Sequence, residues 1–527
     1  MKKISNTFIK KLCAVVLAMA VITGCHDYLD DINQDTNTPT GIDVSMRLTY
    51  AQNQVFDFVA NGNNISGSLF AQYLTNGDGR SSVDVYDFTG GGSGFYLYND
   101  GLRDIHKMYE EVKTKPVSYA HYVGVGKVME AMALGALTDA MGDMPYSQAL
   151  KGSDNIYPGL DSQEQLYQTI QTLLSDGITD LKKDSYKLKG DFLLGNDAKR
   201  WLVLAHLLKA RYYNHLSKKD PVGSATNALA EIDAAIAEGW TTSTNIEMLY
   251  VGNTDHQNPY VAAQKDATIN SSIGFVGDLK NSDDPRLFAY FYPLKVVIHK
   301  DPSKRTPQEI QILQFRPDLA GVSKDTTVLE IVSEEIGDPV TIGIYASALG
   351  MMYSDANASL PVFLAAEAKF IEAEAALRKG GLATRAAAAH NAAIQAHMDY
   401  VMPKMKTKLE AYKEKFAGDD AIEVGIDALL ASADDQADDY VATFGAETGA
   451  TITLDDVMLE KYKSMYIQGV ESWTDLRRHD FKYPSYLISP RTDGKFIRRF
   501  PYPEIEKELN KASFPADDLL TKLWWDQ

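Results

Sequence analysis

The chain has 527 residues, 52 lysines and arginines against 71 acids, and a formal charge of −19. So acidic a body repels phosphate backbones and anionic headgroups, which argues against nucleic acid and against a peripheral membrane patch. The two cysteines, Cys13 and Cys25, both lie near the N-terminus, so no disulfide framework holds the body together.

The first segment is a targeting signal. Lys2, Lys3, Lys10 and Lys11 make a basic start, and Leu12 to Gly24 carry no charge. A spanning helix needs roughly 20 apolar residues, so this shorter run fits a signal-peptide core. It ends in Ile22-Thr23-Gly24-Cys25, which resembles the lipobox of bacterial lipoproteins. The resemblance implies that residues 1–24 are removed and that Cys25 is acylated. Two or more acyl chains hold a soluble domain on a bilayer stably. Removal takes four lysines and no acid, so the mature charge moves from −19 to −23.

Residues 25–42 read as a lipidated tether, rich in Asp, Asn and Thr. Asp31, Asn33 and Asp35 alternate as in a calcium loop, but Thr36 and Ile42 stand where that loop needs Gly and Glu, so an EF-hand is rejected. No later segment spans a membrane: the longest uncharged stretch, Pro339 to Ser354, has 16 residues and includes proline, glycine and serine.

Residues 43–527 are expected to form one mostly α-helical domain. Apolar residues recur at three- and four-residue spacing over 43–60, 100–114, 116–141 and 162–184. Next comes "DAKRWLVLAHLLKARYYNHLSK", with Trp201, Leu204, Leu208 and Tyr212 in one stripe and Asn196 or Asp197 as cap. Helices follow at 224–238, 361–380 and 383–402, whereas 404–450, rich in alanine and aspartate, reads as a solvated insertion. Thr453 and Asp456 approximate a capping box for a long helix bearing Leu459, Tyr462, Tyr466, Val470 and Trp473 on one face. Helix pairs joined by short loops point to stacked hairpins, although no clean 34-residue period appears. Two irregular regions interrupt them, 74–98 and 241–360, the second with short β-like pieces such as "LKVVIHK" and "VLEIVSE".

Nothing in the sequence makes a positive case for catalysis. There is no HExxH and no GxxxxGK[ST], and "GGGSGF" lacks the spacing of a nucleophile elbow. His206 and His215, on or beside the stripe, read as packed or surface histidines. No metal and no cofactor is expected.

A resemblance spans most of the chain. "TDAMGDMPYSQAL", "DAKRWLVLAHLLKARYYNHLSK", "FIEAEAALRKGG", "GVESWTDLRRHDF" and "RRFPYPEIEKELN" follow in the order of the SusD/RagB family's signatures, and the ends "CHDYLDDINQDTNTPT" and "KLWWDQ" fit too. One departure is Ala205-His206, where members often carry Asn-Ser. The resemblance implies a tetratricopeptide-like helical scaffold, anchored at the cell surface on the outer membrane. It also implies a binding protein without cofactor, which captures glycans, or in some cases oligopeptides, for a SusC-like TonB-dependent transporter. A surface hydrolase or a structural adaptor are the alternatives from other classes. Asp27, Asp30 and Asp31 loosely resemble a surface-export signal of Bacteroidota lipoproteins.

The family places its ligand site largely in loops. Aromatic faces hold sugar C–H patches, and carboxylates, amides or guanidinium groups hold hydroxyls. Loop 74–98 offers both, with Asn76, Asp78 and Arg80 beside Tyr86, Tyr96 and Tyr98. Tyr96 and Tyr98, two apart after "GGGSG", would face the same side of an extended segment. "YSDANAS", with Tyr353 and Asp355, is a second candidate, and "DHQNPY", with Asn258 and Tyr260, a third. The motif residues Trp473, Leu476, Arg477 and Arg478, with Asp143 and Pro145 at a turn, read as scaffold.

Overall fold

The structure is a computed structural model. It describes residues 43–76, 83, 86, 95–115, 117–253, 256–261, 269–291, 294–298, 340–344, 352–353, 355–415, 420–515 and 519–527. The signal segment, the tether and "VLEIVSE" lie outside them.

Helices begin where short polar side chains satisfy free backbone N–H groups. Helix α1, Val44–Asp57, starts on Asp43, whose carboxylate accepts from the Ser45 N–H at 2.8 Å. A π-helical turn, Phe58–Gly62, leads into α2, Asn63–Phe70. After strand β1, Leu74–Asn76, a second π turn, Tyr98–Leu102, opens α3, Arg103–Val112. Then come α4, Ala120–Met141, and α5, Gln163–Leu181, the latter with a capping box between Ser162 and Gln165. Helix α6, Ala198–His215, is capped by Asp197, and α7, Pro221–Ala237, by Asp220, with proline where a free N–H would otherwise stand.

The second half holds β2, Ile246–Met248, β3, Ile269–Ser271, α8, Ile273–Asn281, and α9, Arg286–Tyr290. Strands β4, Leu294–Ile298, β5, Val340–Ile344, and β6, Leu360–Phe363, precede α10, Ala365–Lys379, and α11, Ala383–Lys415. Last are α12, Asp420–Phe444, α13, Leu454–Ser464, α14, Gly469–Arg478, and α15, Glu504–Leu509.

Consecutive helices pack side by side: α4 on α5, α5 on α6, α6 on α7, α7 on α10, and α10 on α11. That is a stack of helical hairpins, as the periodicity predicts, and the mostly α, tetratricopeptide-like scaffold that the resemblance implies. The strands form three antiparallel pairs, β1 with β3, β2 with β6, and β4 with β5. "LKVVIHK" therefore does contribute a strand. β1–β3 ties the first irregular region to the second through Leu74↔Ser271 and Asn76↔Ile269.

Two local expectations are corrected. Residues 404–450 are no solvated insertion: α11 continues through Pro403, and α12 packs against it. Ala433, Ala437 and Tyr440 are buried at helical spacing while Asp434, Asp435, Asp438 and Asp439 border them, so an amphipathic helix looked polar in composition. The stripe from Leu459 to Trp473 likewise spans two helices. Ile467, at φ 72°, breaks it, and Asn64 secures the break, donating to the Ile467 carbonyl and accepting from the Val470 N–H at 3.1 Å. The partner of this turn lies 403 positions away, beyond any local pattern. The capping box at Thr453 and Asp456 stands as expected, and Trp473 and Leu476 are fully buried.

Helices α2 and α14 approach so closely that only glycine fits. A Cβ on Gly67 would stand 2.6 Å from the Gly469 carbonyl carbon, and one on Gly469 would stand 2.1 Å from the Ser68 nitrogen.

Candidate ligand-binding face

Helix α1 turns its outer face toward the second π turn. Tyr50 and Asp57 lie two helical turns apart on that face. Arg47 locks α1 to α3, donating to Asp104 at 2.7 Å and to Glu111 at 2.9 Å. Gly101 faces α1, where an added Cβ would stand 3.1 Å from a Val55 methyl. Two π turns thus sit on either side of one exposed aromatic ring, and such turns gather at functional sites.

That ring is Tyr96. It is 37% exposed and rests edge-on against Phe58, with centroids 5.7 Å apart at 73°. Partial burial, then the charges of Asp57 and Asp100, push its hydroxyl well above the ordinary tyrosine range. Tyr50, 45% exposed, is raised by burial and by Asp100 and Asp104. Tyr250 is buried: burial, then the charge of Asp57, raise its hydroxyl, and its ring lies tilted 5.2 Å from His256. Leu249 and Val251 flank it with exposed side chains. The outcome is a surface of tyrosine faces interleaved with carboxylates, the pairing that sugar rings and their hydroxyls require.

The nominated residues divide. Tyr96 lies on this face, but the same-side pairing with Tyr98 is corrected: Tyr96 is in a helical turn and Tyr98 opens a π turn. Tyr98 packs on Phe95 and donates its hydroxyl to the Pro145 carbonyl at 2.6 Å, which fixes the turn after α4. Tyr86, at φ 65°, lies edge-on to Phe70 at 5.9 Å. Asn76 has its backbone in β1, and Asp78 and Arg80 lie outside the described residues. Tyr260 and Tyr353 are buried: Tyr260 donates to the Ile467 carbonyl at 3.3 Å, and Tyr353 packs 6.0 Å from Tyr466. Their rings present no face to solvent. Asn258 holds the Ala358 carbonyl at 3.1 Å, and Asp355 forms an ion pair with Lys408. Sequence reasoning missed Tyr50, Asp57 and Asp100. Tyr50, upstream of "DFVANGNN", carries no local motif, and only the fold brings it beside Asp100.

Beside Phe58 opens a small cleft, lined by Met132 and Asp139 of α4, Arg211 of α6, Val362 of β6 and Glu471 of α14. Its floor is charged. Arg211 grips Glu367 with two bonds, at 2.6 and 2.7 Å, and stands 3.7 Å from Glu471. His215 lies between Glu471, at 2.8 Å, and Asp139, at 3.3 Å. Burial opposes charge on His215, but the two carboxylates outweigh it and raise its pKa to about 9. Burial would raise Glu471; His215 and Arg211 instead hold it well below the carboxylate range. Arg478 extends the network to Glu374 at 2.7 Å. Arg477 donates to the carbonyls of Asp139 and Arg498, at 2.7 and 2.9 Å, as expected of scaffold arginines. Arg211, His215 and Arg478 are paired with carboxylates and Arg477 is held by carbonyls and the Thr474 hydroxyl, so the network fixes helix positions. Among the described residues no group of three or more His, Cys, Asp or Glu side chains could hold a metal ion, and no helix is long and apolar enough to cross a membrane.

The fold defines the class first: a helical-hairpin scaffold whose surface loops carry the exposed aromatics. The chain belongs to the SusD-like family, for a family profile described as "Starch-binding associating with outer membrane" matches residues 36–503. Solved structures agree on the fold. A SusD/RagB family protein from Bacteroides thetaiotaomicron superposes with a TM-score of 0.70 at 20% identity, covering 92% of this chain and 99% of that one. A SusD homolog from Bacteroides fragilis gives 0.64 at 19%, covering 92% and 100%. A chitin-binding SusD homolog from Flavobacterium johnsoniae gives 0.63 at 19%, covering 91% and 98%. No curated protein sequence matches the chain.

Proposed function

We propose that the protein is a nutrient-binding lipoprotein, anchored through Cys25 to the outer membrane and facing the cell surface. It captures oligo- or polysaccharides and hands them to a SusC-like TonB-dependent transporter without chemical change. The family match over residues 36–503 carries this reading, since that family is described by starch binding and outer-membrane association. A glycan is preferred over an oligopeptide because a chitin-binding protein shares the fold and because the face around Tyr96 pairs rings with carboxylates. Tyr96 and Tyr50 would stack on sugar faces, and Asp57 and Asp100 would accept hydroxyl hydrogens. Titration calorimetry with starch and chitin oligosaccharides, followed by chromatography of the ligand, tests the proposal. Binding with recovery of intact ligand supports it; cleaved product would make the protein a hydrolase, and no binding to any glycan would overturn it.

A further inference from the structure

Two loops meet beside the point where the described chain begins. Loop 113–119 and loop 182–190 together carry six lysines, at 113, 115, 182, 183, 187 and 189, against one acid, Asp184. The Tyr186 N–H donates to the Ser118 carbonyl at 2.8 Å, and Tyr119 meets Tyr186 edge-on at 5.2 Å. Val117 and Tyr186 are 66% and 58% exposed. The second loop also grips the first helix: Thr49 donates to the Gly190 carbonyl at 2.7 Å, and Lys189 is close enough to Asp43 to lower its pKa, after the hydrogen bonds from Ser45. Lys182 pairs with Glu238 at 2.8 Å, Lys183 with Asp180 at 2.6 Å, and Lys113 with Glu110. Lys115 and Lys187 make no ion pair among the described residues.

We infer that this cationic, tyrosine-bearing end is a docking surface for an anionic bilayer. The inference rests on the proposed N-terminal membrane tether. Residues 26–42 span at most about 60 Å when fully extended, so Asp43 stays within that distance of the lipid. A mature chain of formal charge −23 is repelled by anionic headgroups over most of its surface and would approach them with its lysine-rich end. Lysines near such a surface attract it, and tyrosines favour the interface between headgroup and acyl chain. Net charge alone argues against a membrane patch; the fold gathers a local one.

The test captures the chain from residue 26, through an N-terminal histidine tag, on vesicles containing nickel-chelating lipid. One set is otherwise phosphatidylcholine, the other equal parts phosphatidylcholine and phosphatidylglycerol. Because the tag supplies the anchor, the result is independent of whether Cys25 is acylated, which fatty-acid labelling reads separately. Amide exchange in 113–119 and 182–190 should slow by roughly fivefold or more on the anionic vesicles alone, about the effect of one lysine at such a surface. The slowing should vanish in about 1 M salt, where the screening length is about 3 Å. It should also vanish in a Lys115→Glu/Lys187→Glu/Lys189→Glu variant whose exchange elsewhere is unchanged. Equal exchange on both vesicle types would overturn the inference, as would slowing that appears only when a transporter protein is added to neutral vesicles, which would make the end a protein interface.

Discussion

At Tyr96 an exposed ring leans on Phe58 without closing a cavity, so its loss should affect binding rather than folding. Stacked aromatic rings contribute roughly 1 to 3 kcal/mol, about five- to more than a hundredfold in affinity. Tyr96→Ala and Tyr50→Ala should weaken glycan binding by that range in calorimetry while the melting temperature stays nearly constant; wild-type affinity in both would move the site elsewhere. Tyr98 belongs to the opposite class, because its hydroxyl holds the Pro145 carbonyl. Tyr98→Phe should cost about 1 kcal/mol of stability in urea unfolding and leave affinity alone. His215 adds a pH dependence. Its folded pKa of about 9 exceeds the ordinary 6.5, so its stabilisation is complete below about pH 6.5 and is lost as pH rises through 9. On the order of 3 kcal/mol should disappear between pH 6 and 9.5, and that slope should be absent in His215→Gln. Equal slopes would remove His215 from the account.

At the scale of elements, helix existence was legible in sequence because it rests on spacing and caps, as at Asp197 and Thr453. Helix breaks were not, because they depend on distant partners such as Asn64. The binding face followed the same division: the Tyr96 loop could be nominated from its composition, but Asp57 and Tyr50 join it only through tertiary packing. Tyr260 and Tyr353 were indistinguishable from surface tyrosines until their burial was known. The crossing of α2 over α14 yields its own prediction. Gly469→Ala has no side-chain tip to move aside, since the added carbon meets backbone of Ser68 and Asn64. It should destabilise by 3 kcal/mol or more, by analogy with about 1 to 3 kcal/mol for overpacking that side-chain shifts relieve. Trp473→Ala, in the same interface, should lose about 3 to 5 kcal/mol through the cavity it leaves. Chemical denaturation of both variants checks this, and a change below about 1 kcal/mol would mean that the helices part easily.

For the whole molecule, the lipid-anchor reading makes a separate prediction. Metabolic labelling with a fatty-acid analogue should mark wild type and not Cys25→Ala, and equal labelling would end it. A different consequence follows from the ion network beneath the cleft. Arg211 and His215 need Glu367 and Glu471, Asn64 needs the turn at Ile467, and Lys218 meets Asp526 at 2.8 Å, one residue from the end. Early helices therefore carry buried charges and open backbone groups whose partners are made last. A chain emerging from its N-terminus holds Arg211 and Asn64 without these partners until the helices around Glu367 and Glu471 follow, so contacts between distant segments complete the packing of the early hairpins.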